Sequence, residues 1–228
     1  MRNFFFIFAL LILTSSFGFA QTKSKPRPRP TPAKTPVKTI VDQGAVSGRT
    51  YTNKTFGFEV TFPDTWLIPD SDFEEYMKKQ GFDLSLKTPD SLPPSSKIKR
   101  NQAIKHVNIL LTSYRSMPGS ADNTIVRISV EELSANPQIK DAVDYFDAIR
   151  AMYATMKLPA DFKYSETQAE KLGIMQFGFL DASSNAGKKR MYATVRNGFA
   201  VMFTLSYTQA EDLETFRSVL ENGNFTLK

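Results

Sequence analysis

The sequence contains no cysteine, a single histidine and a single tryptophan in 228 residues. Without cysteine, the chain has no disulfide bond, no thiol nucleophile and no cysteine-ligated metal site. One histidine cannot supply the usual zinc ligands, and no particular serine and aspartate can be assigned to it as a hydrolytic triad. Glycine-rich phosphate loops and nucleophile elbows are also missing. We therefore expect a protein that is not an enzyme and that uses no cofactor and no metal ion.

Long apolar runs are missing as well, and the longest one, at residues 4–13, is short for a membrane span. It follows the charged Arg2 and precedes small residues at positions 18 and 20, a pattern typical of a secretory signal peptide. The alternative is an uncleaved membrane anchor. We expect residues 1–20 to be removed near Ala20, which would leave a secreted or periplasmic protein.

Positive charge is concentrated next to this segment. Seven basic and no acidic residues precede Ile40, so the remainder of the chain holds 22 basic and 23 acidic residues despite the overall charge of +6. Five prolines within residues 21–39 favour an extended polyproline II conformation that cannot build a core. We therefore predict a semi-rigid disordered linker at residues 21–48, the stalk. It either attracts anionic envelope polymers or lipid head groups, or is a solvated spacer, and nothing indicates nucleic-acid binding.

The segment 51–66 predicts where the folded domain begins. Large apolar side chains alternate with smaller or polar ones, so an extended strand would bury them on one face. Pro63 and Asp64 then favour a turn, which would bring Trp66 back to the core as an anchor. The alternating apolar residues are Phe56, Phe58, Val60 and Phe62. We place the globular domain at residues 49–228.

The same segment, Phe56-Gly57-Phe58-Glu59-Val60-Thr61-Phe62-Pro63-Asp64-Thr65-Trp66, resembles the PsbP-like family. The best-known member of that family is the lumenal extrinsic subunit of photosystem II, and a small Ran-binding nuclear-transport factor shares the fold. The resemblance implies an α+β domain in which an antiparallel β-sheet is sandwiched between helices. It also implies a role in protein binding, although the sequence matches only the fold motif and no partner-binding motif.

The rest of the domain predicts alternating helices and strands. A capping box of Ser71 and Glu74 predicts a short helix to about Gln80, and two prolines with several serines and lysines predict a loop at 92–100. Strands are expected at 107–114 and 126–130. Asn136-Pro137 is expected to begin a long helix, whose apolar stripe would cover the sheet and which would end at Pro159. The stripe comprises Ile139, Ala142, Val143, Phe146, Ile149, Tyr153 and Met156.

The C-terminal third predicts more sheet and a closing helix. A strand is expected at 162–170, and apolar residues of both parities at 172–182, among them Ile174 and Leu180, predict a strand covered on two faces. Asn197-Gly198 predicts a two-residue hairpin. A capping box of Thr208 and Glu211 predicts the start of the final helix, which Asn222-Gly223 would end.

Few residues suggest a functional site. His106 would face solvent or a groove, either as a proton donor or ligand or as an ordinary surface residue. Two acidic groups lack the converging oxygens that calcium requires. These are Asp141, Asp144 and Asp147, and Asp64, Asp70 and Asp72. Basic residues near a hairpin tip (Lys188, Lys189 and Arg190) and around the 92–105 loop (Lys97, Lys99, Arg100 and Lys105) are either an anion-binding rim or solubilising charges.

Two functional hypotheses follow. The first is an exported, non-catalytic interaction or assembly module with a protein partner in the cell envelope, carried on a stalk with weak affinity for anionic envelope or membrane surfaces. The second is a secreted or periplasmic protein that binds a small ligand or ion. For the second, the surface would include His106, Lys188, Lys189 and Arg190.

Overall fold

The segment 51–66, which predicted the start of the domain, contributes strands to a small antiparallel sheet. The computed structural model describes residues 41–81, 92–120, 123–185 and 187–226, and the secondary structure lies in a compact unit that begins at Asp42. The sheet has the order β1-β2-β3-β11. Its strands are β1 (Ala45–Ser47), β2 (Thr50–Asn53), β3 (Phe58–Thr61) and β11 (Asn224–Phe225). β1 therefore lies before the predicted domain start at residue 49.

The alternating apolar residues of this segment are buried on one side, as predicted. Phe58 and Val60 lie in β3, while Phe56 precedes the strand in a turn and Phe62 follows it, and all four are buried. Trp66 is a core residue, and its ring lies 6.1 Å from that of Phe62. The backbone N–H of Trp66 donates to the carbonyl of Pro63 at 3.0 Å, which confirms the turn that returns the indole to the core.

A larger antiparallel sheet forms the centre of the domain. Its order is β4-β5-β10-β9-β8-β6, and β7 also pairs with β8. The strands are β4 (Val107–Tyr114), β5 (Ile125–Glu132), β6 (Lys163–Tyr164), β7 (Gln168–Leu172), β8 (Met175–Ser184), β9 (Gly187–Arg196) and β10 (Phe199–Tyr207). The hairpin between β9 and β10 turns at Asn197 and Gly198, which have φ of 51° and 78°. Both lie in the left-handed region, so the predicted two-residue hairpin is confirmed.

The larger sheet is covered on both faces. The helices are α1 (Ser71–Lys79), α2 (Pro94–Ile104), α3 (Ala142–Ala154) and α4 (Ala210–Glu221). α3 packs on β8 and β9 and buries Phe146 against small residues such as Ala182 and Ala193. α4 and the small sheet cover the other face, where Phe203 contacts both Phe58 and Phe225. The predicted α+β class, with antiparallel sheet between helical layers, is confirmed.

The predicted loop at 92–100 is wrong, because α2 begins at Pro94. Proline is tolerated in the first turn of a helix, where its missing N–H has no partner to lose. The residues that follow, from Lys97 to Ala103, are mostly good helix formers. Ser96 is buried and exchanges hydrogen bonds with the backbone of Lys157, its hydroxyl donating at 3.1 Å and accepting at 3.0 Å.

The predicted start of the long helix at Asn136 is also wrong. Asn136 and Ile139 lie in turns, and the helix α3 begins at Ala142 because the carboxylate of Asp141 accepts from the backbone N–H groups of Val143 and Asp144. Val143 is exposed rather than part of the buried stripe. Ala154 ends the helix before the predicted stop at Pro159.

Other boundaries differ by a residue or a turn. Asp70 is the N-cap residue of α1, one residue before the predicted cap, and Gln209 precedes α4 without a side-chain cap, one residue after the predicted cap. Ile174 is exposed in the turn between β7 and β8. The strand predicted at 162–170 is two short strands, β6 and β7, separated where the N–H of Ser165 bonds to the carbonyl of Asp181.

Candidate functional site

Three cations converge on the face of the larger sheet that α2 and α3 cover. Arg127 of β5 pairs with Thr204 of β10, and Lys189 of β9 pairs with Ser206 two residues further along β10. Residues two apart on a strand point to the same side, so Arg127 and Lys189 share one face with these two hydroxyl groups. Arg100 of α2 lies close enough to both cations for their charges to interact. We name Arg100, Arg127 and Lys189 the basic cluster.

The packing of α2 explains why Arg100 faces inward. Ser96 and Arg100 are four residues apart and therefore lie on the same side of the helix. Ser96 is anchored to the backbone of Lys157, beyond the end of α3, and Lys99 Nζ donates to the carbonyl of Thr155 at 3.0 Å. These contacts fix α2 alongside the C-terminal end of α3. Arg100 is thereby held over the sheet rather than in solvent.

The positive charge of the basic cluster is not balanced within the described part of the chain. Arg100 Nη1 and Arg127 Nε are buried and have no hydrogen-bond partner there. Among the described residues, no carboxylate forms an ion pair with Arg100, Arg127 or Lys189. A buried donor without a partner costs about 1–3 kcal/mol, and more when it is charged. An anion placed here would therefore satisfy groups that the described residues leave unsatisfied.

Burial and mutual repulsion change the pKa values of the three cations. Burial, with smaller contributions from the charges of Arg100 and Arg127, lowers the pKa of Lys189 to about 8. Burial also lowers the pKa of Arg100, with Tyr153 opposing the shift and Arg127 adding to it. For Arg127 burial again dominates, and Tyr114 opposes it. The three cations are thus near enough to repel one another, an arrangement that favours a bound anion.

The three consecutive basic residues of the sequence do not form one patch. Lys189 joins the basic cluster, whereas Lys188 and Arg190 lie on the opposite face of β9 by the alternation of the strand. Lys188 is exposed. Arg190 is committed to Asp181, with Nε and Nη2 donating to its carboxylate at 2.7 and 2.5 Å, and its guanidinium lies 4.4 Å from the ring centre of Phe179.

His106 lies away from the basic cluster. It is exposed just before β4, near Glu131, which pairs with Ala200 of β10. Lys189 pairs with Ser206 of the same strand, six residues further along, or roughly 20 Å at the usual strand rise. Burial raises the pKa of Glu131, while a hydrogen bond from the Tyr145 hydroxyl at 2.7 Å and the nearby His106 oppose the rise. The structure therefore separates His106 from Lys189.

Sequence reasoning did not identify Arg127 and placed Arg100 in a loop. Arg127 alternates with the buried Val126 and Ile128, so the pattern indicates only that it lies on the other face of its strand. Arg127 becomes part of a charged cluster only because α2 brings Arg100 close to it. Recognition of the helix at Pro94 would have placed Ser96 and Arg100 on one side and directed both toward the sheet.

The acidic residues at the start of α3 and along it have structural roles. Asp141 caps α3, Asp144 accepts from the backbone N–H of Lys140 at 2.8 Å, and Asp147 pairs with Arg150 at 3.3 Å. Within the described ranges, no group of three or more His, Cys, Asp or Glu residues is arranged to hold a metal ion. No helix in those ranges is long and apolar enough to cross a membrane.

Comparisons with known proteins add little. No family model and no curated protein matches the chain. One similar solved structure is a crystal structure from Bacteroides thetaiotaomicron, with 7% sequence identity and a TM-score of 0.40. The match covers 80% of this chain and 50% of the Bacteroides chain. Another is cyanobacterial PsbP (CyanoP) from Synechocystis, with 13% identity, a TM-score of 0.40, and coverage of 84% of this chain and all of that one. At these TM-scores neither likeness supports a conclusion about family or function.

Proposed function

We propose that this chain is an exported, non-catalytic binding module whose PsbP-like domain holds an anionic group in the basic cluster. The observation that supports binding is the pair of buried guanidinium donors, Arg100 Nη1 and Arg127 Nε, without a partner in the described residues. Guanidinium groups present several N–H donors in a fixed plane that suits phosphate, sulfate or carboxylate. Lys189 adds a third positive charge on the same face of the sheet.

The surroundings of the basic cluster suit binding better than catalysis. Thr204 and Ser206 contribute hydroxyl groups that can donate to an anion, and both are partly exposed. Among the described residues, no histidine or carboxylate next to the basic cluster forms a nucleophile and base pair with either hydroxyl. The basic cluster therefore supplies charge and hydrogen bonds to a ligand, and neither hydroxyl group is paired with a described histidine or carboxylate that could activate it.

Anion binding is tested by calorimetry and thermal unfolding of the protein lacking residues 1–20. Phosphate, sulfate and acetate are compared with chloride at constant ionic strength, and a ligand at a hundred times its Kd should stabilise by about 2.7 kcal/mol. Arg127→Gln and Lys189→Gln should each weaken binding at least tenfold. Lys188→Gln is the matched control, because it removes the same charge from the opposite face. Equal affinity in all variants, or no anion-specific stabilisation, would contradict the proposal.

The export and the stalk form a second part of the proposal. Residues 1–20 have the pattern of a signal peptide, and the basic, proline-rich residues 21–39 would add about 1 kcal/mol of attraction per charge close to an anionic membrane. N-terminal sequencing of the exported protein should find a new end near Gln21. Co-sedimentation with anionic vesicles should decrease and become less salt-sensitive when residues 21–39 are deleted. Equal co-sedimentation would leave the stalk as a spacer only.

A protein partner is the second candidate function, and the position of β1 favours it. β1 is the outer strand of the small sheet and comes shortly after the basic, proline-rich residues 21–39 in sequence. All three of its residues are exposed, with Val46 at 48%. An open strand edge can accept a strand from another protein. Affinity capture from envelope fractions should recover a stoichiometric partner with the wild type and lose it with Val46→Pro, whereas recovery of none would remove this candidate.

A further inference from the structure

An aromatic group borders the basic cluster on the side of α3. The ring of Tyr153, on α3, lies 5.5 Å from that of Phe162 and 5.4 Å from that of Tyr164. Tyr153 is also near Arg100, since burial raises the pKa of Tyr153 and Arg100 opposes that rise. Tyr164 is 37% exposed. The basic cluster and a partly exposed aromatic ring are therefore linked through one side chain, Tyr153.

The register of the sheet places Tyr164 beside Lys189. Tyr164 pairs with Ala182, and Ala182 pairs with Lys189, so the three residues form a row across β6, β8 and β9. Adjacent strands are about 4.8 Å apart, which puts the Cα atoms of Tyr164 and Lys189 roughly 10 Å apart. Residues that pair directly across strands point to the same face. Within this row, the side chain between Tyr164 and Lys189 is the methyl group of Ala182.

The ring of Tyr164 is held in a defined position. It packs edge-on against Tyr153, with an interplanar angle of 62°, and at a tilt against Phe162 with ring centres 6.3 Å apart. An aromatic ring fixed by its neighbours loses little entropy when a ligand packs on it. A ligand that contacts both Lys189 and Tyr164 must therefore combine an anionic group with a flat or apolar body.

We infer that the anion held by the basic cluster is a phosphate monoester of a ring compound, with the ring packed against Tyr164. The inference rests on the proposed anion binding and names the ligand class for the same site. A ring joined to phosphate by one ester bond is a compact ligand that places charge at Lys189 and a ring at Tyr164. Packing against an aromatic ring adds roughly a three- to tenfold gain in affinity.

Calorimetry with three phosphate esters tests the inference. Glycerol phosphate carries the anionic group without a ring, glucose 6-phosphate adds a sugar ring, and phenyl phosphate adds an aromatic ring. At least one ring ester should bind roughly three- to tenfold more tightly than glycerol phosphate, and the one that gains identifies the kind of ring. Tyr164→Ala should abolish that gain while leaving the Kd of glycerol phosphate unchanged. Tyr76→Ala is the matched control, because it removes an exposed tyrosine from α1.

The outcomes separate the two proposals. If glycerol phosphate binds and the ring esters bind no better, the ring inference is wrong while the proposed anion binding stands. A gain that survives in Tyr164→Ala also overturns the inference, since another surface must then contact the ring. Absence of binding by all three esters overturns the inference, and absence of binding by inorganic phosphate, sulfate and acetate as well overturns both. The unchanged affinity of the variant for glycerol phosphate shows that its site remains folded.

Discussion

The guanidinium of Arg196 donates a hydrogen bond to the backbone carbonyl of Gly57 at 3.1 Å. The same Nη1 donates to the carbonyl of Phe56 at 3.0 Å, and the guanidinium lies 5.9 Å from the ring centre of Phe225. Arg196 ends β9 in the larger sheet, whereas Phe56 and Gly57 form the turn before β3 in the small one. The side chain of Arg196 thus joins the two sheets at the turn that begins the segment Phe56 to Trp66.

Arg196→Met should lower the free energy of unfolding by about 1–3 kcal/mol, because two backbone carbonyls lose a charged donor. Urea denaturation measures the change. Lys79→Met is the control, since its ion pair with Glu75 is exposed on both sides and contributes well under 1 kcal/mol. Similar losses in the two variants would contradict the role assigned to Arg196.

Asp212 connects α4 to the turn between β4 and β5. Its side chain is almost fully buried, accepts from the hydroxyl of Thr124 at 2.6 Å and pairs with Arg115 at 3.2 Å. Asp212→Ala should cost about 3–5 kcal/mol, because the guanidinium of Arg115 loses a buried partner. A double-mutant cycle with Thr124→Val should be non-additive by at least about 0.5 kcal/mol. Strict additivity would show that the two side chains do not act together.

Gly178 allows α3 to approach the sheet. A Cβ atom at this position would lie 2.8 Å from Cβ and 3.0 Å from the carbonyl carbon of Ala142, the first residue of α3. Gly178→Ala should therefore destabilise the domain by about 1–3 kcal/mol, as overpacking does in other cores. Ala142→Gly in the same chain should recover part of the loss in urea denaturation. No recovery would place the cause of the loss elsewhere than at this contact.

Lys189 should make stability depend on pH. Its pKa is about 8 in the folded protein and 10.5 for an ordinary exposed lysine, so between these two pH values the unfolded chain binds more protons. The free energy of unfolding should consequently rise with pH in this window and stay at its lower level below about pH 8, where the amino group is protonated in both states.

Lys189→Met should remove this rise. The difference between the wild type and the variant should change by about 1–2 kcal/mol between pH 7 and pH 9.5, measured by urea denaturation in the absence of phosphate. Lys188→Met, which removes an exposed lysine from the opposite face, should retain the dependence of the wild type. If the free energy of unfolding of Lys189→Met rises with pH as steeply as that of the wild type, burial does not perturb the amino group of Lys189.

Patterns that depend on neighbouring residues predicted much of the fold. The alternation of Phe58 and Val60, and the pair Asn197-Gly198, describe interactions within a few residues, and the structure has them as expected. The start of α3 depended on a competition between two local signals. Asn136-Pro137 has the preferred order for a helix start, but Asp141 caps two N–H groups and determines the boundary. Composition alone does not decide such a competition.

The basic cluster depends on contacts that are distant in sequence. Arg100 reaches the sheet because Ser96 bonds to Lys157, 61 residues away. Arg127 and Lys189 share a face because both of their strands pair with β10. Charge clustering along the sequence instead selected Lys188, Lys189 and Arg190, and strand alternation divides these between opposite faces. The register of the sheet therefore carries information that the linear sequence does not reveal.

The pairing of Phe58 with Phe225 has a consequence for the order of folding. β3 and β11 are neighbours in the small sheet although 167 residues separate these two phenylalanines. Synthesis proceeds from the N-terminus, so β1, β2 and β3 must wait for almost the whole domain before their last partner emerges. Contacts of this separation are slow to form, because a long loop must close first. A nascent chain that stops short of Phe225 would leave one edge of β3 and the aromatic side chains beneath it open to chaperones, proteases and other unfinished chains.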